Sequence, residues 1–140
     1  MEKDNKALTV KQDNSVFEGK NYYCSVSLHN DQGQVLVYNA LESCDVRVAD
    51  SIGQTIELKD VYIEKYMKEK DGESKEAIRT ILFDADGKSY VSTSFGIFNS
   101  IRRILNIFGE PKNWKEPKKV TFTERKLNDG KKSFVLKLAK

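Results

Sequence analysis

Imidazole, thiol, indole and proline ring are all scarce in this 140-residue chain, which holds one His, two Cys, one Trp and two Pro. Each scarcity excludes a class of chemistry. A nucleophilic triad would have to use His29, which sits in "HNDQGQ", a turn-like stretch poorly placed to exclude water. His29, Cys24 and Cys44 make no recognisable zinc spacing, so no metal or other cofactor is expected. Two thiols form no disulfide framework in a chain expected to be cytosolic, and they read as buried or half-buried free cysteines. No apolar run approaches the roughly 18 residues of a membrane span. The start "MEKDNKALTVKQDNS" lacks the apolar segment of a secretory signal. A cytoplasmic protein with no membrane partner is the expectation. Carboxylates are the remaining catalytic material, and "FDADG" is their densest cluster. It falls at a hairpin turn, where Asp and Gly have conformational reasons to be. The chain is therefore read as non-enzymatic.

What is present reads mostly as β-strand. "KNYYCSVSLHN" puts Tyr22, Cys24, Val26 and Leu28 on one parity. "NDQGQ" then predicts a turn and "VLVYNA" a short strand, while "LESCDVRVADSIGQ" fits either a helical turn or a loop with a strand fragment. "TIELKDVYIEKYMKEK" predicts a long strand. Its buried parity changes near Asp60, where Ile56 and Leu58 give way to Val61, Ile63 and Met67. Such a change predicts a β-bulge, a device that bends a sheet toward a barrel. "KDGESK" is a turn, and "EAIRTILFDADGKSYVSTS" a hairpin turning at Asp84–Gly87. "KKVTFTERK" and "KSFVLKLAK" make a closing hairpin through a second Asp-Gly turn.

One segment breaks the pattern. Ile97, Phe98, Ile101, Ile104, Leu105 and Phe108 recur at helical period, with Thr93 or Ser94 as N-cap and Gly109 then Pro111 as the stop. A single helix over about 94–108, between the third and fourth of five strands, is the connectivity of the OB-fold, in which a helix plugs the barrel; an SH3-like barrel or a helix-capped α+β sheet gives a similar order. The expected class is mainly β: a five-stranded OB-like Greek-key barrel as one domain over residues 16–140, preceded by a flexible arm, residues 1–15.

An OB barrel typically binds oligonucleotides across its second and third strands. Single-strand binding needs aromatic faces for bases and cations for phosphates. The relevant strands offer Tyr62 and Tyr66 with Lys59, Lys65, Lys68 and Arg79, and Tyr90 with Lys88 follows the Asp-Gly turn. Tyrosine also simply suits half-exposed sheet positions, so both readings stand. Tyr22 and Tyr23 must point to opposite faces. Trp114, in "KNWKEPKK" with Lys118 beside it, suits either a base-stacking ring or a staple holding the loop to the barrel. Residues 111–140 carry +7 of a total of +3, leaving −4 for the rest. That asymmetry suits a polyanion partner, or a hairpin edge protected by lysines.

At "FDADGKSYVSTS" followed by the amphipathic helix, the chain resembles the small single-stranded-DNA-binding proteins of tailed phages with protein-primed replication. The resemblance runs from about Leu36 through "VYNALES", "GQTIELKDVYIEKY", the "DG..Y" hairpin and the closing basic hairpin. It implies a non-enzymatic protein of the host cytoplasm that coats and protects displaced single strands without sequence preference. By position, it also implies aromatic roles for Tyr62, Tyr66 and Tyr90 and a backbone contact for Lys88. Replication proteins, or self-association along the strand, are the implied further partners. An RNA-binding OB protein and a protein adaptor that docks through the basic hairpin remain the alternatives. The end "KSFVLKLAK" departs from the acidic tail of bacterial single-strand binders, so recruitment through such a tail is not expected.

Overall fold

The long strand is where the architecture begins. In the computed structural model, which describes Phe17 and residues 21–139, it runs without a break over Thr55–Lys70. It turns back through Asp71 and Gly72, both at positive φ, into a strand over Glu73–Asp84. Two left-handed residues in a two-residue loop match the twist of the strands they join. In chain order the elements are β1 (Tyr22–Cys24), α1 (Asp31–Glu42), β2 (Val46–Arg47), β3 (Thr55–Lys70), β4 (Glu73–Asp84), β5 (Ser89–Ser92), α2 (Phe95–Phe108), β6 (Lys118–Lys126) and β7 (Lys132–Leu138). The sheet order is β2-β5-β4-β3-β6-β7, with β1 added on β3 and the β2–β5 pair parallel. The expected arm, residues 1–15, lies outside the described residues.

The bulge sits where the parity changes. Register between β3 and β4 shifts between Leu58 and Asp60, so Ile56, Leu58, Val61 and Ile63 all enter the same core. Below the shift β3 pairs with β6, and above it with β1, so one bent strand anchors two stretches of sheet. α2 buries Ile97, Phe98, Ile101 and Ile104 in the hollow of that bend. Each such side chain contributes about 1.5–3 kcal/mol when fully buried. The Ser94 hydroxyl caps the helix by accepting from Gly96 N at 3.1 Å, and Gly109 ends it.

Three expectations are corrected. Among the described residues the sheet has seven strands rather than five, and α2 follows the fifth of them. The sheet curls into a half-barrel: β5 pairs with β2, and the backbone N–H of Leu136 in β7 donates to Ser100 Oγ of α2. A cleft of about 280 Å³ between Val91, Ser92 and Phe134 marks that open seam. Third, "VLVYNA" lies in a helix. Asn30, read as part of a turn, caps α1 by accepting from Gly33 N at 2.8 Å, and Val37 and Ala40 are buried. The β-branched run favoured a strand locally, but packing against the outer face of the sheet decided the conformation.

That outer packing gives the protein a second layer. Successive residues of a strand point to opposite faces. On β4, Ile78 and Leu82 join α2 in the main core, while Ile81 and Phe83 join Tyr62, Val37 and Ala40 beneath α1. Cys24, Val26 and Leu28 keep the parity expected of them and pack on this second cluster, although regular strand ends at Cys24. No helix among the described residues is long and apolar enough to cross a membrane.

Candidate nucleic-acid interface

Beyond the part covered by α1, β3 and β4 continue as a two-stranded ribbon. Its outer face is set by register alone: Tyr62 lies opposite Ile81, Glu64 opposite Arg79, Tyr66 opposite Ala77 and Lys68 opposite Lys75. β1 adds Tyr22 on the far side of Glu64. The side chains form one connected strip. The Tyr22 and Tyr62 rings stack at 6.0 Å between centroids and 18° between planes. Tyr62 donates its hydroxyl to Glu64 Oε1 at 3.1 Å, and Arg79 Nη1 donates to Glu64 Oε2 at 2.8 Å. The Arg79 guanidinium lies 5.0 Å from the centroid of the Tyr66 ring. Lys68 and Lys75 extend the strip, exposed, toward the ribbon tip. Rings and cations on one face are what a flexible polyanion with stacking bases requires, and here the Glu64 carboxylate ties Tyr62 to Arg79 between them.

Burial sorts the tyrosines. Tyr62 is 8% exposed, and burial followed by the Glu64 charge pushes its phenol well above the ordinary value. Tyr22, which lies over it, is 39% exposed and presents the accessible ring. Tyr66 is half-buried. Tyr23 turns the other way, packs on the main core, and donates to Glu110 at 3.4 Å. Tyr90 is a core residue, 3% exposed, with its ring against Phe122 and its hydroxyl on Asp84. A ring so placed has no face for a base, which corrects the expectation that Tyr90 stacks.

Four of the ten expected residues, Tyr62, Tyr66, Lys68 and Arg79, therefore share the ribbon face. Lys65 points to the opposite face, 4.9 Å from the Phe17 ring. Lys88 sits at the β4–β5 turn, 5.7 Å from the Tyr90 ring. Lys59 is exposed at the bulge beside Asp60, whose carboxyl is raised by burial although the Ser25 hydroxyl and Lys59 oppose the shift. Trp114 is half-buried and donates its indole N–H to Gly109 O at 2.9 Å, so it does staple the loop after α2. Lys118 lies over Phe108 at 4.4 Å and over Trp114 at 5.7 Å. Sequence reasoning missed Tyr22, Glu64 and Lys75 on the ribbon face. The tight Asp71–Gly72 turn was the available signal, because it fixes which β4 residue opposes each residue of β3.

The face of an OB barrel normally open to oligonucleotides is partly closed here: α1 packs on Ile81, Phe83 and Val91 of β4 and β5. Among the described residues, the ribbon and its β1 flank stay open beside it. Against known families, the model described as phage single-stranded DNA-binding protein, of the Phi29 type, matches residues 18–139. The chain belongs to this family. No curated protein and no solved structure matches it. Membership makes it one of a family of phage proteins that bind single-stranded DNA, and the half-barrel is consistent with an OB-like β fold.

Proposed function

We propose that the protein binds single-stranded DNA without sequence readout, through the outer face of the β3–β4 ribbon, and so coats and protects displaced strands during phage DNA replication in the host cytoplasm. One observation carries this reading: the exposed Tyr22 ring, stacked on the buried Tyr62, is joined through Glu64 to Arg79 and Tyr66 in one strip that runs on past the helix-covered part of the sheet. No base-edge reader is needed for such a platform, because every base has a π-face. The protein acts by binding, with no catalytic step of its own. Its further partners are replication proteins or neighbouring copies on the strand.

We also infer that β3, β4, β5, β6 and β7 with α2 are the five strands and plug helix of an OB-type barrel, left open at one seam. In support, α2 falls between the third and fourth of these strands, and β3 pairs with both β4 and β6. Residues 16–140 act as a single domain on this reading.

The test is titration with an oligo-dT of about 16 nucleotides, the upper end of the site size for one OB barrel, against a duplex of equal length. Arg79, Lys68 and Lys75 contacting three phosphates give a log–log salt slope of about −2, at about −0.7 per phosphate. Further cations steepen it. Binding that prefers the single strand and falls with salt supports the proposal, and Tyr66→Ala lowers affinity by about 1–3 kcal/mol for one lost stack. No binding at low salt sinks it, and makes the basic β6–β7 hairpin a protein-docking surface instead.

A further inference from the structure

A strand held on the ribbon has to go somewhere at its inner end. α1 bars the way across β4 and β5, where Ile81, Phe83 and Val91 are already covered. Among the described residues, none covers the β1 side in this way. Tyr22 there lines a cleft of about 560 Å³ that runs past Cys24–His29 to Glu110 and Lys112. Lys112 also lines the next cavity, about 300 Å³, with Lys59, Trp114 and Lys115. The two hollows thus meet at one lysine and join the ribbon rings to the single tryptophan.

The chemistry along this line suits a polynucleotide. The second cavity brings together three lysines and an indole, with Asp60 and Glu116 as its acids. Asp60 is half-buried and turned toward the Ser25 hydroxyl, which donates to it at 2.8 Å. Trp114 is held in place by its bond to Gly109 O, so no ring has to be ordered on binding. Among the described residues, Glu110 is the one acid lining the first cleft. Its partner Lys112 is 3.9 Å away in an exposed pair, which a phosphate displaces at little cost. From Tyr66 to Lys59 the strand β3 spans about 23 Å at 3.3 Å per residue. That is a track for several nucleotides.

We infer that the bound single strand leaves the ribbon over Tyr22 and ends in the Trp114 cavity, with Lys112 and Lys115 as its phosphate contacts there. This rests on the single-strand binding proposed above and adds a second subsite, with a path over β1. The base in the cavity lies against Trp114.

The lone tryptophan is its own probe. Emission excited to the red of tyrosine absorption is followed during titration of the full chain with oligo-dT of about 4 and about 16 nucleotides, the limits for one OB barrel. The longer strand is expected to change Trp114 emission at saturation. The double variant Lys112→Gln/Lys115→Gln should shallow its salt slope by about 1.4, while Arg103→Gln on the outer face of α2 leaves the slope unchanged. Wild-type affinity and slope in the double variant, or silent Trp114 emission at saturation, overturn the path while leaving DNA binding intact. An equal loss per cation in Arg103→Gln reduces the effect to net charge and also overturns it. A wild-type chain that binds no oligo-dT fails the proposed function itself, a different result.

Discussion

Arg79 carries the sharpest consequence of the ribbon geometry, because it serves two partners. Its guanidinium lies over Tyr66 and is bound to Glu64 at 2.8 Å, with side chains 34% and 22% exposed. Replacing it with alanine removes one phosphate contact, and a hydrogen bond to a charged group contributes about 1.5–3 kcal/mol. Partial exposure places Arg79 at the lower end, about tenfold in affinity. The same change leaves Glu64 as an unscreened carboxylate on the DNA path. A like charge a few ångströms from a phosphate costs about 1 kcal/mol even in water, roughly another fivefold. Arg79→Ala is therefore expected to weaken oligo-dT binding about fifty-fold and to shallow the salt slope by about 0.7. Arg79→Ala/Glu64→Gln should recover about fivefold with no further change in slope, since glutamine still accepts from Tyr62. Fluorescence titration at several salt concentrations, with far-UV dichroism to confirm folding, measures all three quantities. An unchanged slope in Arg79→Ala would refute the phosphate contact. A double variant as weak as the single would refute the role given to Glu64.

Other consequences are simpler. Gly33 is a buried helical glycine whose added Cβ would overlap the Ser27 carbonyl oxygen and meet Val26 Cγ1 at 3.1 Å. Helix propensity alone predicts that Gly33→Ala gains about 1 kcal/mol, but overpacking costs about 1–3 kcal/mol; urea unfolding should show net loss, and a net gain would mean that α1 is not seated on this segment. Asn30→Ala removes the α1 cap and is expected to cost about 1 kcal/mol in the same assay. The phenols of Tyr62 and Tyr23 are raised by burial, so they stay neutral when folded and ionise near the ordinary value of about 10 when unfolded. The unfolded state then binds fewer protons, and stability falls as pH rises above about 10; alkaline difference spectra should show both ionising only as the chain unfolds, and Tyr62→Phe should lessen the fall. Tyr90→Phe loses the bond to Asp84, worth about 1 kcal/mol of stability, and should leave oligo-dT affinity unchanged; a drop in affinity for the folded variant would place Tyr90 on the DNA after all.

Local chemistry is what the sequence by itself determined. Parity change at Asp60 announced the bulge, three Asp-Gly pairs announced their turns, and the spacing from Ile97 to Phe108 announced α2. All of these depend on neighbours within about a turn or a strand pair, which is the range over which periodicity acts. The same turn chemistry put Tyr62, Tyr66, Lys68 and Arg79 within reach of one another. Only the tertiary structure decided which rings are open. Tyr62 and Tyr90 read like Tyr66 in sequence, yet Tyr22 and the α1 layer cover the first and Phe122 and α2's core enclose the second. α1 itself was hidden because Val35–Tyr38 prefer strand locally, although Leu36, Val37, Ala40 and Leu41 already lay at helical spacing. Its burial against Ile81 and Phe83 is a contact between segments some forty residues apart. Whether a ring is core or contact surface depends on what lies across it in space, and that is set by the packing of distant segments rather than by the residue's own neighbours.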